Sequence, residues 1–151
     1  MKKVAVVAVV ALLGVATAFG AQTGVSFYND GGDSAANASL LPTNDGAATF
    51  IAIQNMNGTA SEGTVNYFDN DGTARTPAVN TFSISAGSAL SFRPVADDVG
   101  AEGAGAAVPN KNGGKVAGTA VILLPGAAST YAGRVAVHDD DYSYSFTLLF
   151  N

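Results

Sequence analysis

Tyr142-Ser143-Tyr144-Ser145-Phe146-Thr147-Leu148-Leu149-Phe150 is the stretch that decides the fold. Tyr142, Tyr144, Phe146, Leu148 and Phe150 fall on one face of an extended chain, and Ser143, Ser145 and Thr147 fall on the other. Successive side chains of a strand point to opposite faces, so this period of two is a strand signature that a helix would scramble. Three readings of it stand side by side. It is a core strand, or an extended segment shared with a neighbouring subunit by β-augmentation. The third is the terminal strand of an outer-membrane barrel, which would require most strands to reach roughly 9–11 residues.

The same signature recurs backwards along the chain, with turn residues between the repeats. Tyr131 to His138 sets Tyr131, Val135 and Val137 against Arg134, Ala136 and His138. Val116 to Leu124 is apolar almost throughout, the pattern of a central strand covered on both faces. Ala89 to Arg93 and Asn80 to Ser85 point Leu90, Phe92, Phe82 and Ile84 inward; with Ala86-Gly87 between them they read as a β-hairpin. Thr64 to Phe68 carries Val65 and Tyr67, and Ala48 to Asn55 carries Thr49, Ile51 and Ile53. Thr23 to Tyr28 opens the series. Asn57-Gly58 and Asp69-Asn70-Asp71-Gly72 supply turn chemistry, since Asn and Asp tolerate tight turns and Gly takes positive φ. No segment beyond the first twenty residues has helical periodicity. The expectation is an all-β fold: an antiparallel immunoglobulin-like β-sandwich of about seven to nine strands.

The stretch Phe50 to Val137 resembles the small β-sandwich modules of bacterial secreted and cell-surface proteins. The matching elements are Ile51-Ala52-Ile53-Gln54-Asn55, Thr64 through Gly72, Phe82-Ser83-Ile84-Ser85-Ala86-Gly87, Ser91-Phe92-Arg93-Pro94 and Gly118-Thr119-Ala120-Val121-Ile122. A more distant similarity is to the sandwich of sensory-rhodopsin transducer proteins. The resemblance implies a sandwich and transfers no catalytic residue.

The N-terminus sets the compartment. Lys2 and Lys3 precede an uncharged apolar run, Val4 to Ala16, too short to span a bilayer. Ala16-Thr17-Ala18 and Ala18-Phe19-Gly20 both fit a small-residue cleavage site. Residues 1–20 are therefore expected to be a secretory signal peptide and residues 21–151 a single sandwich domain, secreted, at the cell surface or in the periplasm. The chain has no Cys, which removes a lipid anchor at a cleavage-site Cys, disulfides and Cys-based metal sites. Small exported domains often depend on disulfides, so this one must rely on its core or on neighbours. Without the leader, five bases face twelve acids, a net charge of −7. Such a balance disfavours nucleic acid and anionic membranes. Charged residues make up only 13% of the chain, against about 25% in ordinary soluble domains. A surface so poor in charge is weakly protected against self-association.

Candidate chemistry is sparse. His138 is the only His, so a Ser-His-Asp site or a zinc site would have to be built around it alone. No G-x-S-x-G elbow and no phosphate-binding G-x-x-x-x-G-K-[ST] loop occurs. With no Trp and only Glu62 and Glu102 as glutamates, a glycosidase pair has little support. Calcium favours carboxylates on flexible loops, and the candidates are Asp69 and Asp71, Asp97 and Asp98 with Glu102, and Asp139, Asp140 and Asp141. Asp69 to Gly72 is no EF-hand, because setting Gly72 at the sixth loop position puts Tyr67 first and Ala78 twelfth. Asn37-Ala38-Ser39 and Asn57-Gly58-Thr59 match the glycosylation pattern and point to surface loops.

Two functions follow as expectations, neither enzymatic. One is a structural or interaction domain, a subunit of an extracellular or cell-surface assembly that joins itself or another extracellular protein by edge-strand pairing. The other is a ligand-binding module for glycan, peptide or Ca²⁺ that uses the long 95–114 loop and the acidic turns.

Overall fold

The computed structural model describes residues 19–29, 47–96, 108–138 and 143–151. Its strands are β1 (Phe19–Tyr28), β2 (Ala48–Asn55), β3 (Ser61–Asp69), β4 (Thr81–Ile84), β5 (Ala89–Phe92), β6 (Ala117–Pro125), β7 (Tyr131–His138) and β8 (Ser143–Leu148). One short 3-10 turn, Ala128–Thr130, joins β6 to β7. The strands form two four-stranded antiparallel sheets, ordered β1-β6-β3-β4 and β5-β2-β7-β8. The fold is thus an all-β antiparallel sandwich rather than a single closed barrel. Its first two strands lie in opposite sheets. The expected leader lies outside the described residues as far as position 18, and Phe19 and Gly20 belong to β1.

The core follows from the alternation. Ile51 and Ile53 of β2, Val65 and Tyr67 of β3, Ala120, Ile122 and Leu124 of β6, and Val135 of β7 are all fully buried. Phe82, Ile84, Leu90 and Phe92 close one end of the same cluster. Each large apolar side chain taken out of water contributes roughly 1.5–3 kcal/mol, which is what pins the register. A one-residue slip would turn the whole set to solvent.

Three expectations need correction. The first concerns β6, which is central, paired with β1 on one side and β3 on the other. Only one of its faces is covered, however. Gly118, Ala120, Ile122 and Leu124 are buried, while Val121 and Leu123 between them stay partly exposed. Flanking strands, not a second layer, shelter those outer residues. Gly118 itself is required by close approach: a Cβ there would overlap the Phe68 carbonyl oxygen on β3 and sit 2.8 Å from the Phe27 ring.

The second correction concerns the expected hairpin. β4 pairs with β3, and β5 pairs with β2, so the Ala86-Gly87 turn carries the chain from one sheet to the other. Gly87, at φ +67°, makes the sharp change of direction. Both strands alternate as the sequence predicts, but local pattern does not say which sheet a strand joins.

The third concerns the strand that revealed the fold. Among the described residues β8 is an edge strand paired only with β7. Leu148 is buried and Phe150 packs against the core, but Tyr144 is 52% exposed and Phe146 49% exposed. Tyr142 lies outside the described residues. Alternation identifies a strand, yet burial needs a layer above it, and the sandwich ends here.

Candidate functional site

Two regions collect the residues singled out above. The first is the acidic turn that ends β3. Asp69 is its last strand residue and is buried. One of its oxygens accepts from Arg75 Nε at 2.7 Å, and the other accepts from the Lys115 backbone N–H at 3.0 Å. Asp71 accepts from Lys115 Nζ at 2.7 Å and from the Thr73 N–H at 3.0 Å. Gly72, at φ +83°, closes the turn by donating to the Asp69 carbonyl. The Arg75 guanidinium lowers the Asp69 carboxyl from its ordinary value against the opposing effect of burial, and the Lys115 ammonium does the same for Asp71.

All four carboxylate oxygens of this turn therefore accept hydrogen bonds from the chain. They tie the end of β3 to the segment that leads into β6. A divalent cation would have to displace both Arg75 and Lys115. Among the described residues no three acidic or histidine side chains gather in a metal-binding group. Asp97, Asp98, Glu102, Asp139, Asp140 and Asp141 lie outside the described residues. The expected 95–114 loop is likewise described only at its ends, where the Lys111 N–H donates to the Val95 carbonyl at 3.2 Å.

Lys111 carries no sequence signal that would single it out. It is buried, and its ammonium donates to the Gly113 and Lys115 carbonyls at 2.7 and 2.8 Å. The same group lies 6.0 Å from the centre of the Phe27 ring. A buried ammonium demands such partners, so the segment 111–115 is wrapped around it. Arg93 is buried too, with its guanidinium 5.9 Å from the centre of the Phe50 ring. Of the five bases beyond residue 20, Arg75, Arg93, Lys111 and Lys115 are thus engaged inside the domain or in its ion pairs. Arg134, on the outer face of β7, is exposed.

His138 ends β7, and its Nδ1 is hydrogen-bonded to the Ser143 hydroxyl of β8. This contact joins the two strands beside their connection. A shallow depression of about 250 Å³ lies on the outer face of the same sheet, walled by Ala52, Gln54, Ala89, Ala132 and Arg134. Its walls carry neither a nucleophile nor a carboxylate.

The second region is the side of the sandwich where β1 and β8 are the edge strands. The opposite side is guarded. β4 and β5 are only four residues long. Beyond β4, the outer edge of β3 is covered by the segment 73–80: Val65 N–H donates to the Asn80 carbonyl, Tyr67 N–H to the Thr76 hydroxyl and Arg75 N–H to the Tyr67 carbonyl. Short and covered edges resist pairing with other chains. By contrast β1 has ten residues and β8 six. The C-terminal residue bridges the two sheets, since Asn151 exchanges backbone hydrogen bonds with Gln22 of β1 at 2.9 and 3.0 Å. Phe150 packs beside Tyr131, ring centres 5.8 Å apart. β8 itself has exposed side chains on both faces from Ser143 to Thr147.

No protein-family model matches the chain, and no curated protein matches it. Among solved structures, the crystal structure of Thermotoga maritima 1070 is similar at a TM-score of 0.45 and 12% identity, covering 87% of this chain and 94% of that one.

Proposed function

We propose that the chain is an exported, non-enzymatic structural or interaction domain that acts as a subunit of an extracellular or cell-surface assembly, joined by edge-strand pairing. The observation that carries this reading is the unequal treatment of the two sides of the sandwich. One side has short strands and a covering segment. The other offers β8, whose residues 143–148 include no charge, no Pro and no Gly. Natural edge strands are commonly blunted by just such devices, and their omission leaves a template for another strand. The resemblance to sandwich modules of bacterial secreted and cell-surface proteins supports the same reading, as do the signal-like N-terminus and the low charge fraction.

Light scattering and negative-stain imaging of the leader-free protein test it. The expected result is a species heavier than one chain, growing with concentration. A strict monomer at high concentration, with both terminal strands fully protected from hydrogen exchange, contradicts it.

A further inference from the structure

We infer that β8 pairs with β8 of a second copy, antiparallel, about a two-fold axis through Ser145. This rests on the assembly reading and names the strand, the partner and the register. The order of side chains along β8 is self-complementary. Ser143-Tyr144-Ser145-Phe146-Thr147 reads the same in both directions by side-chain class: small hydroxyl, aromatic, serine, aromatic, small hydroxyl. A two-fold interface requires a patch that complements itself, and in a strand this means a palindrome. Centred on Ser145, an antiparallel copy sets Tyr144 opposite the partner's Phe146, and Phe146 opposite the partner's Tyr144. On the other face Ser143 meets the partner's Thr147 and Ser145 meets its own counterpart. Aromatic cross-strand pairs are among the stabilising ones in sheets. Here they would cover two rings that the single chain leaves about half exposed, at 52% and 49%. The two sheets would fuse into one, ordered β5-β2-β7-β8 and then the same four strands in reverse.

Charge points to the same edge. With a net charge of −7 beyond the leader, two copies repel each other. Residues 143–148 carry no charged side chain, so pairing along β8 itself sets no like charges opposite each other. A partner selected by charge complementarity would find nothing to bind on this strand.

Ser145→Cys is the direct test, in a chain that has no Cys of its own. Residues directly opposite in an antiparallel pair have Cα atoms roughly 4.5–5.5 Å apart, within disulfide range. Ser83→Cys, exposed on edge strand β4, serves as the control for random collision. Under mild oxidation Ser145→Cys is expected to give a covalent dimer, and Ser83→Cys is not. Phe146→Lys, checked for folding by its thermal melt, is expected to weaken the dimer by roughly tenfold or more, because an edge lysine opposes pairing. Assembly that persists with no cross-link at 145, or that ignores Phe146→Lys, overturns this inference and leaves the assembly reading standing. A monomer whose β8 exchanges freely also overturns it, since the edge is then open to some partner other than a second copy. A monomer with β8 fully protected overturns both.

Discussion

Replacing Asn55 by Leu is expected to destabilise the domain by about 3 kcal/mol, most of the loss coming from polar groups left unpaired inside it. Asn55 is the last residue of β2 and is fully buried. Its amide Nδ2 donates to the carbonyls of Thr59, Ile84 and Ser85 at 2.9, 3.1 and 3.3 Å, and its Oδ1 accepts from the Asn57 N–H at 3.0 Å. One side chain thus joins the end of β2, the turn that follows it and the end of β4, in the opposite sheet. Leu has nearly the same size but satisfies none of these groups. Asn55→Asp is expected to cost at least as much, because a carboxylate would face three carbonyl oxygens with nothing to donate. Urea unfolding at low protein concentration checks both, since assembly would add a concentration-dependent contribution. An unchanged midpoint for Asn55→Leu would mean that the two sheets are not joined through this residue.

Tyr67→Ala is the second large effect, expected at about 3–5 kcal/mol by the usual cost of deleting a buried aromatic side chain. Tyr67 is the largest of the fully buried side chains, and its hydroxyl donates to the Pro109 carbonyl at 2.9 Å. Tyr67→Phe separates the two contributions. It keeps the ring and removes one hydrogen bond, so about 1 kcal/mol is expected. Calorimetric melts of the pair give the ratio. If Tyr67→Phe costs as much as Tyr67→Ala, the hydroxyl and the segment at Pro109 matter more than packing, and the core described here is wrong in emphasis.

Much of this architecture is legible in the sequence, because alternation is a local signal. β2 and β7 run over the very residues expected, Ala48–Asn55 and Tyr131–His138. The inward sets Ile51 and Ile53, Val65 and Tyr67, and Phe82 and Ile84 are also as expected. What pattern does not encode is partnership. The strands flanking Ala86-Gly87 alternate as a hairpin would, yet they belong to different sheets. Nothing local distinguishes a turn that pairs its strands from one that crosses the sandwich. β1 begins at Phe19 and β3 at Ser61, earlier than the apolar residues suggest, because backbone pairing with β6 and β4 extends past the apolar pattern.

The candidate sites were less legible, for a related reason. Asp69 and Asp71 were recognisable as turn formers and as possible ligands. Their engagement by Arg75 and Lys115 depends on a segment more than forty positions away in the case of Lys115. Lys111 looks like a surface lysine until Phe27 and its own loop enclose it. The alternation of Tyr142 to Phe150 was plain, but whether its aromatic face is buried by this chain or by another depends on its place at the edge of a sheet. That place is where the proposed function originates.

The most direct test of the central claim is hydrogen exchange of the protein without residues 1–18 at low and high concentration, comparing β8 with β6. β6 is paired on both sides and is expected to be protected at every concentration. β8, paired only with β7 among the described residues, is expected to exchange readily when dilute and to gain protection as concentration rises. Equal protection of β8 and β6 in the dilute protein, unchanged on concentration, would contradict the claim that this edge is open and is where copies join.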